Sequence, residues 1–490
     1  MLRLVPIGPA TLAPWTSPAM PEIETDIPAR LDRLPWSRFH LLIVVALGIT
    51  WVLDGLEVTI VGSIGPMLQS KSTLGLSPQD IGTMASAYVA GAVAGALLFG
   101  WLTDRFGRRL VFNITLGVYV AGVIGSACSW DFLSLTCFRV LTGLGIGGEY
   151  AAINSAIDEL IPARLRGRID LIVNGSYWGG AAVGAAASLL LLSGDVVAPD
   201  IGWRLGFGVG GVLGLGVLVL RRFVPESPRW LVTHGRIDEA EKTVADVEQK
   251  VKESGGGDLG PACGKLKVHP RRVFGFGMIF KSMLGPNKSR SFLAFMLMAA
   301  QAFLFNAVFF TYGLVLTKAY HVPVKDIGIY VLPLAIGSLL GPICLGHLFD
   351  TVGRRKMIAG TYGVSGVLMA ITGWAFHAGL LDAFTQTACW MAIFFVASAA
   401  ASSAYLTASE IFPLETRALA IATFYALGTL VGGMGAPYLF GRLIGAGVSN
   451  VVWGYEVAAV LMVMAAVTEA KLGIDAEGKS LESIAQPLSG

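Results

Sequence analysis

The sequence predicts an all-α membrane protein of twelve transmembrane helices in two six-helix bundles. Three observations lead there. Hydrophobic residues make up 54% of the 490 residues and charged residues 14%, with a mean hydropathy of +0.67. A soluble chain averages about 25% charged and could not hide this much apolar surface. Long apolar runs recur twelve times, and two short polar phrases appear once in each half of the chain.

Taken in order, residues 1–39 carry Arg3, Arg30, Arg33 and Arg38 among recurrent prolines and read as an irregular cytoplasmic leader. The first apolar run begins at Leu41 with no small-residue cleavage site after it, which predicts a retained helix and not a signal peptide. The predicted spans are 41–63, 81–102, 110–128, 132–156, 170–193, 203–220, 292–316, 327–348, 357–378, 385–408, 418–440 and 452–468. Most reach the roughly 20 residues that cross about 30 Å of hydrocarbon. They group into an N-terminal bundle over 40–220, a polar linker over 221–290, a C-terminal bundle over 291–468 and a tail over 469–490. Within the linker, Ile237, Val244, Val247 and Val251 recur at helical spacing among charges, so an amphipathic helix is expected over 236–253. GGGDLGPACG at 255–264 reads as flexible linker. With a cytoplasmic N-terminus, 30 of the 36 lysines and arginines fall on the inner side, so both termini are expected in the cytoplasm. The five cysteines show no paired spacing and read as small hydrophobes, with no metal site expected.

GWLTDRFGRR at 100–109 returns as GHLFDTVGRR at 346–355, and Glu159, Pro162 and Arg166 return as Glu410, Pro413 and Arg417. The halves are therefore expected to be parallel repeats. The charges at these inner helix ends, Asp104, Arg105, Arg108, Arg109, Glu159, Arg166, Asp350, Arg354, Arg355, Glu410 and Arg417, are expected to form a cytoplasmic gate. Pairs in one layer can hold in one packing and break in another.

Charges inside spans are costly unless paired or wetted, and so mark function. Asp54 and Glu57 share one face of the first span, while Arg139 and Glu149 share the fourth. Glu57 and Glu149 are the leading proton-carrier candidates, with Arg139 as partner to one of them and Asp54 beside them. Asn154, Asn174, Tyr177, Trp178, Gln301, Asn306 and Tyr312 combine amides, hydroxyls and aromatic faces, a mixture suited to a polyhydroxylated ligand.

These phrases resemble the major facilitator superfamily, with RVLTGLGIGG at 139–148 similar to its fourth-helix signature. PESPRWLVTHGR at 225–236, QAFLFNAVFF at 301–310, RGRIDLIVN at 166–174 and SEIFPLETR at 409–417 resemble phrases of its sugar porters. That resemblance implies a central cavity and alternating access, places Gln301, Asn306 and Asn174 at sugar-contacting positions, and sets Glu57 near a proton-coupling acid. Two features depart from it: Ala300 replaces the first residue of a Gln pair, and SAAASSAYLTASE at 398–410 lacks the tenth-helix GPxxW phrase. GGEYAA at 147–152 is closer to proton symporters of organic acids.

The expected function is proton-coupled import of a sugar or polyol through a bacterial-type inner membrane. The alternatives are symport of a small aromatic or hydroxy carboxylate and proton-driven export of an apolar compound. The expected partners are a small-molecule substrate and the lipid bilayer, with no nucleic acid, and the chain is expected to work as a monomer. No cofactor is expected beyond the driving proton, and no phosphate-cradling GxxxxGK[ST] loop is present to suggest ATP hydrolysis. No nucleophile–base grouping suggests an enzyme.

Overall fold

Hydrocarbon cannot hydrogen-bond a backbone, so each spanning segment must satisfy its own amides as a helix. The structure, a computed structural model, describes residues 23–68, 72–76, 78–191, 199–221, 224–254, 259–261, 264–268, 283–323, 326–413, 417–477, 479 and 484–485. A short helix α1 (Ile27–Asp32) precedes six membrane-length helices: α2 (Arg38–Leu68), α3 (Pro78–Phe106), α4 (Arg108–Ala127), α5 (Phe132–Leu160), α6 (Ala163–Leu191) and α7 (Pro199–Arg221). Helices α8 (Pro228–Thr233) and α9 (Ile237–Glu253) lie in the linker. The second half contains α10 (Lys288–Ala319), α11 (Ile327–Thr351), α12 (Arg354–His377) and α13 (Ala383–Glu410). It closes with an interrupted span and α16 (Val451–Leu472). The interrupted span is α14 (Arg417–Gly428), a π-helical turn (Thr429–Met434) and α15 (Gly435–Ala446).

Among the described residues nine helices are long and apolar enough to cross a membrane by composition alone. The other three, α5, α6 and the interrupted span, contain charges or the π turn. Large apolar side chains such as Leu110, Val212, Val364 and Val460 are exposed around the outside, the reverse of a soluble surface and the form that lipid requires.

In the first half α3 packs on α5 and α2 on α6; in the second, α12 packs on α16 and α11 on α13. The halves meet along α6 and α11 and between α3 and α14. The α6–α11 seam is close: a Cβ on Gly175 would lie 2.8 Å from two ring carbons of Pro342, so this backbone approach needs glycine. The repeated loops also need it, since Gly107 and Gly353 stand at φ of 94° and 113° just before α4 and α12.

One difference from the sequence reading lies outside the bundles. The leader is not irregular throughout. Residues Ile23–Thr25 pair antiparallel with Leu266–Val268 of the linker, and α1 follows. The expected amphipathic helix forms as α9, burying Ala240, Val244, Val247 and Val251 against α8 and α1. Arg30 and Arg33 reach its Glu248 at 2.8 and 2.6 Å, and Arg30 also reaches Glu241. Asp32 faces Arg229 at 3.0 Å and Arg166 at 3.5 Å. Cys263 and part of 255–264 lie outside the described residues; Cys128, Cys137 and Cys344 are exposed on the outer face.

Burial acts against the Glu248 carboxylate, but the hydrogen bonds from Arg30 and Arg33 outweigh it and hold the group below the usual carboxylate range. A carboxyl depressed by folding adds stability above its unfolded value, near 4.3, and loses it as the pH falls through the folded value. The leader–linker clasp should therefore be intact at pH 7 and loosen as the pH falls below the usual carboxylate range. The protection factors of the amides in residues 27–32, taken against the intrinsic exchange rate at each pH, should fall there while those of the bundle helices stay high.

Candidate functional site

A cavity of about 170 Å³ lies between the halves. Its walls come from α2 (Trp51, Asp54, Val58), α3 (Tyr88), α5 (Tyr150) and α6 (Asn174, Tyr177, Trp178) on one side. On the other stand α10 (Gln301, Phe305, Asn306, Phe309), α13 (Ser402, Tyr405), Tyr425 of α14 and Thr429, the first residue of the π turn. Nine of the twenty described lining residues are aromatic, and none of the twenty is arginine, lysine or histidine. Such π turns recur at functional sites because they shift a side chain out of the helical register.

Each wall is built by ring packing. Trp51 stacks on Tyr150, with centroids 4.5 Å apart, and meets Tyr405 edge-on at 5.7 Å. Trp178 stacks on Phe305 at 4.7 Å and lies 5.1 Å from Phe309, joining α6 to α10 across the two halves. Asn174 and Asn306 are oriented by donating to the carbonyls one turn back, Asp170 O at 2.9 Å and Ala302 O at 2.6 Å.

The acids separate into two kinds. Glu57 is paired with Arg139, and both are buried. Arg139 also donates to Ser126 Oγ at 3.3 Å and Thr142 Oγ1 at 3.1 Å, and its guanidinium lies over the rings of Phe207 and Tyr88. Glu149 is matched by Arg221, at 2.8 Å, which also donates to Thr50 Oγ1 at 2.8 Å and to the Phe112 carbonyl. Asp54 has no cationic partner among the described residues. It accepts from Tyr88 Oη at 3.0 Å and from Tyr150 Oη, and it lines the cavity.

Of the residues expected from sequence at this site, Asp54, Asn174, Tyr177, Trp178, Gln301 and Asn306 come together on the cavity. Tyr312 does not: it is buried behind the wall, bonded to Thr387 Oγ1 at 2.5 Å and edge-on to Trp390. The side chain of Asn154 lies outside the described ones. Glu57 and Glu149, the leading acids in the sequence reading, are each neutralised by an arginine away from the cavity wall, whereas Asp54 faces it. Trp51, Tyr88, Tyr150, Tyr405, Tyr425 and Thr429 were not anticipated. Their signal was a hydroxyl or indole inside an apolar span, which needs a polar partner when buried.

At the end carrying the repeated basic phrases, the charges pair across helices. Glu159 does not pair with Arg166, nor Glu410 with Arg417. Arg108 meets Glu159 at 2.8 Å, and Arg354 meets Glu410 through two bonds of 3.1 Å. Arg166 turns to Asp32, and Arg417 points at the Phe412 carbonyl at 3.5 Å. Arg105 and Arg109 are exposed, Arg105 over the Trp101 ring, and Arg355 donates to the Ala470 carbonyl. The side chain of Asp104 is outside the described ones. Its counterpart Asp350 binds Arg354 at 2.5 Å and also accepts from the Arg168 amide at 3.0 Å, linking the second half to the first. Glu226 accepts from the Arg108 amide at 2.8 Å, and Glu477 occupies the matching place before α12, 3.4 Å from the Arg354 amide.

Two parallel six-helix bundles facing across a buried, mixed aromatic and amide cavity define a major facilitator transporter and not an enzyme. The chain belongs to the family described as sugar (and other) transporter, whose model matches residues 43–486. It is 28% identical over 466 residues to the niacin transporter NiaP of Acinetobacter baylyi, covering 94% of this chain and 99% of that one. It is 25% identical over 450 residues to the 4-hydroxybenzoate transporter PcaK of the same species, covering 91% and 93%. Its fold is similar to that of the E. coli proton:xylose symporter XylE bound to 6-bromo-6-deoxy-D-glucose. There the TM-score is 0.74 at 20% identity, covering 91% of this chain and 98% of the other.

Removing one partner of a buried pair leaves an uncompensated charge, at a cost of about 3–5 kcal/mol. Arg139→Gln should therefore lower the melting temperature of the detergent-solubilised protein by several degrees. Combining it with Glu57→Gln should recover most of the loss.

Proposed function

We propose that this chain is a proton-coupled symporter that carries a single-ring aromatic acid into the cell across a bacterial-type inner membrane, acting as a monomer with its basic end in the cytoplasm. The cavity carries this reading. Its volume is close to the roughly 150 Å³ of an apolar cavity that accepts one benzene. Aromatic walls offer offset or edge-on contacts to a flat ring from several sides. The amides of Asn174, Gln301 and Asn306 can hold a carboxylate or ring hydroxyl. Relatives named for niacin and 4-hydroxybenzoate transport support the same chemistry.

The single acid in the cavity supplies the coupling. A substrate carboxylate entering beside ionised Asp54 would place two negative charges in a site without a cation. Like charges at such separation strongly disfavour joint ionisation. Taking one proton onto Asp54 removes the conflict, so one proton enters with one carboxylate and net charge movement is nil. Glu57 and Glu149, each already neutralised by an arginine, keep their packing while Asp54 changes charge. Alternation then requires only that the loaded, protonated state favour the packing open to the cytoplasm.

A second reading, import of a sugar or polyol, is favoured by one specific observation. Gln301 and Asn306 on α10 and Asn174 on α6 face the same cavity as Trp51 and Trp178, amide donors and acceptors beside ring faces that can stack on a pyranose.

Reconstituted in proteoliposomes with an acidic exterior, the protein should accumulate nicotinate or 4-hydroxybenzoate at least tenfold, and a proton ionophore should abolish this. Accumulation of xylose in place of the acids would favour the second reading. Uptake driven only by sodium would reject proton coupling. Asp54→Asn should reduce accumulation to the equilibrium level and remove its dependence on outside pH. In a side-by-side thermal-shift screen of sugars and aromatic acids, the true class should raise the melting temperature selectively, since only a ligand of the folded state stabilises it. Asn306→Ala should weaken that shift about tenfold in ligand concentration.

A further inference from the structure

Asp54 accepts from two phenols that differ in what else they touch. The Tyr88 ring lies beneath the Arg139 guanidinium at 5.4 Å, inside the first half. The Tyr150 ring stacks on Trp51, and its other side meets Tyr425 edge-on at 4.7 Å and Tyr405 at 6.4 Å, both in the second half. Tyr150 is therefore bonded to the cavity acid through its hydroxyl and held against the opposite bundle by its ring and by a side-chain hydrogen bond with Tyr425.

The position along the helices adds a direction. Tyr150 stands ten residues before the end of α5, Tyr425 eight after the start of α14 and Tyr405 five before the end of α13. At 1.5 Å per residue these lie roughly 15, 12 and 8 Å from the basic end. The three tyrosines thus lie on the side of the cavity that faces that end.

We infer that Tyr150 is a positioning residue that ties the charge on Asp54 to the packing of the two halves at the basic end. A hydrogen bond to an ionised carboxylate is about twice as strong as one between neutral groups. While Asp54 is charged, the Tyr150 hydroxyl is held and its ring stays wedged against Tyr425. When Asp54 takes a proton that bond weakens, the ring is free to leave Tyr425, and the halves can part at the basic end.

The other titratable groups around Asp54 do not provide this link. Glu57 on its own helix and Glu149 on α5 are each held by an arginine. Tyr88 and Tyr177 belong to the first half, while Tyr405 and Tyr425 reach Asp54 by field and not by a hydrogen bond.

This inference rests on Asp54 as the proton site proposed above, but its test needs no substrate. Spin labels at W130C and L380C, both on exposed turns at the end opposite the basic one, would report the separation of the halves by double electron–electron resonance in a cysteine-free background. In the parent protein the distance distribution should shorten as the pH is lowered from 8 to 5, as the basic end opens. Tyr150→Phe, which keeps the ring and removes the hydroxyl, should reduce the pH-dependent shift at least threefold; Tyr88→Phe should reduce it less. Tyr425→Leu should act like Tyr150→Phe, and the double variant should be no worse than either alone, the mark of one shared link. A full-sized shift in Tyr150→Phe, equal losses in Tyr150→Phe and Tyr88→Phe, or no shift in the parent protein would each overturn the inference. Uptake in proteoliposomes reads the substrate class separately: a normal pH response with no accumulation of an aromatic acid would reject that substrate and leave the Tyr150 link standing.

Discussion

The structure depends on how charge is neutralised where there is no water. An arginine inside a bilayer must find an anion or a ring face, and Arg139 finds both. It pairs with Glu57 from α2, donates to Ser126 on α4, and lies against Phe207 of α7 and Tyr88 of α3. One side chain thus sets the spacing of four neighbouring helices around α5. Arg221 repeats the arrangement nearer the basic end, binding Glu149, Thr50 and the Phe112 carbonyl. A buried pair is weak evidence for added stability. Its value here lies in register, because each arginine fits only one arrangement of helices.

That economy explains why Asp54 is distinct. With Glu57 and Glu149 neutralised, it is the cavity acid whose only described partners are two neutral phenols. A group held in this way can change its charge without stranding a cation, whereas protonating Glu57 would leave Arg139 unpaired. In the proton-coupled reading proposed above, this separation of structural pairs from the cavity acid supplies the coupling without any further device.

The basic end shows duplication used for two purposes. Arg108–Glu159 and Arg354–Glu410 occupy equivalent places and hold each bundle together. Glu226 and Glu477, both in segments that follow a bundle, sit at the starts of α4 and α12, where exposed amides favour an anion. Contact between the bundles is lighter: Asp350 reaches across to the Arg168 amide. Among the described residues, strong pairs within each half and few between them suit two bodies that stay intact while their interface opens.

Much of the fold was legible in the residues. Apolar run lengths gave the spans because a bilayer has a fixed thickness, and the repeated loops gave the two halves because each needs glycine at positive φ. The amphipathic pattern of 237–251 placed α9 because its valines fall on one face. The partners of charges were less legible. Glu159 and Arg166 are close in sequence, yet Glu159 binds Arg108, 51 positions away. Tyr312 had the composition of a site residue but sits on a different face of α10 from Asn306. By itself, then, the sequence determined a membrane protein of two six-helix repeats, since hydrophobic length and glycine placement are local properties. Tertiary structure alone decided that Asp54 meets the cavity, that Arg139 pairs with Glu57 and Arg221 with Glu149, and that Tyr150 reaches across the interface. Those outcomes depend on the rotation of each helix about its axis, which is set by the neighbours it packs against.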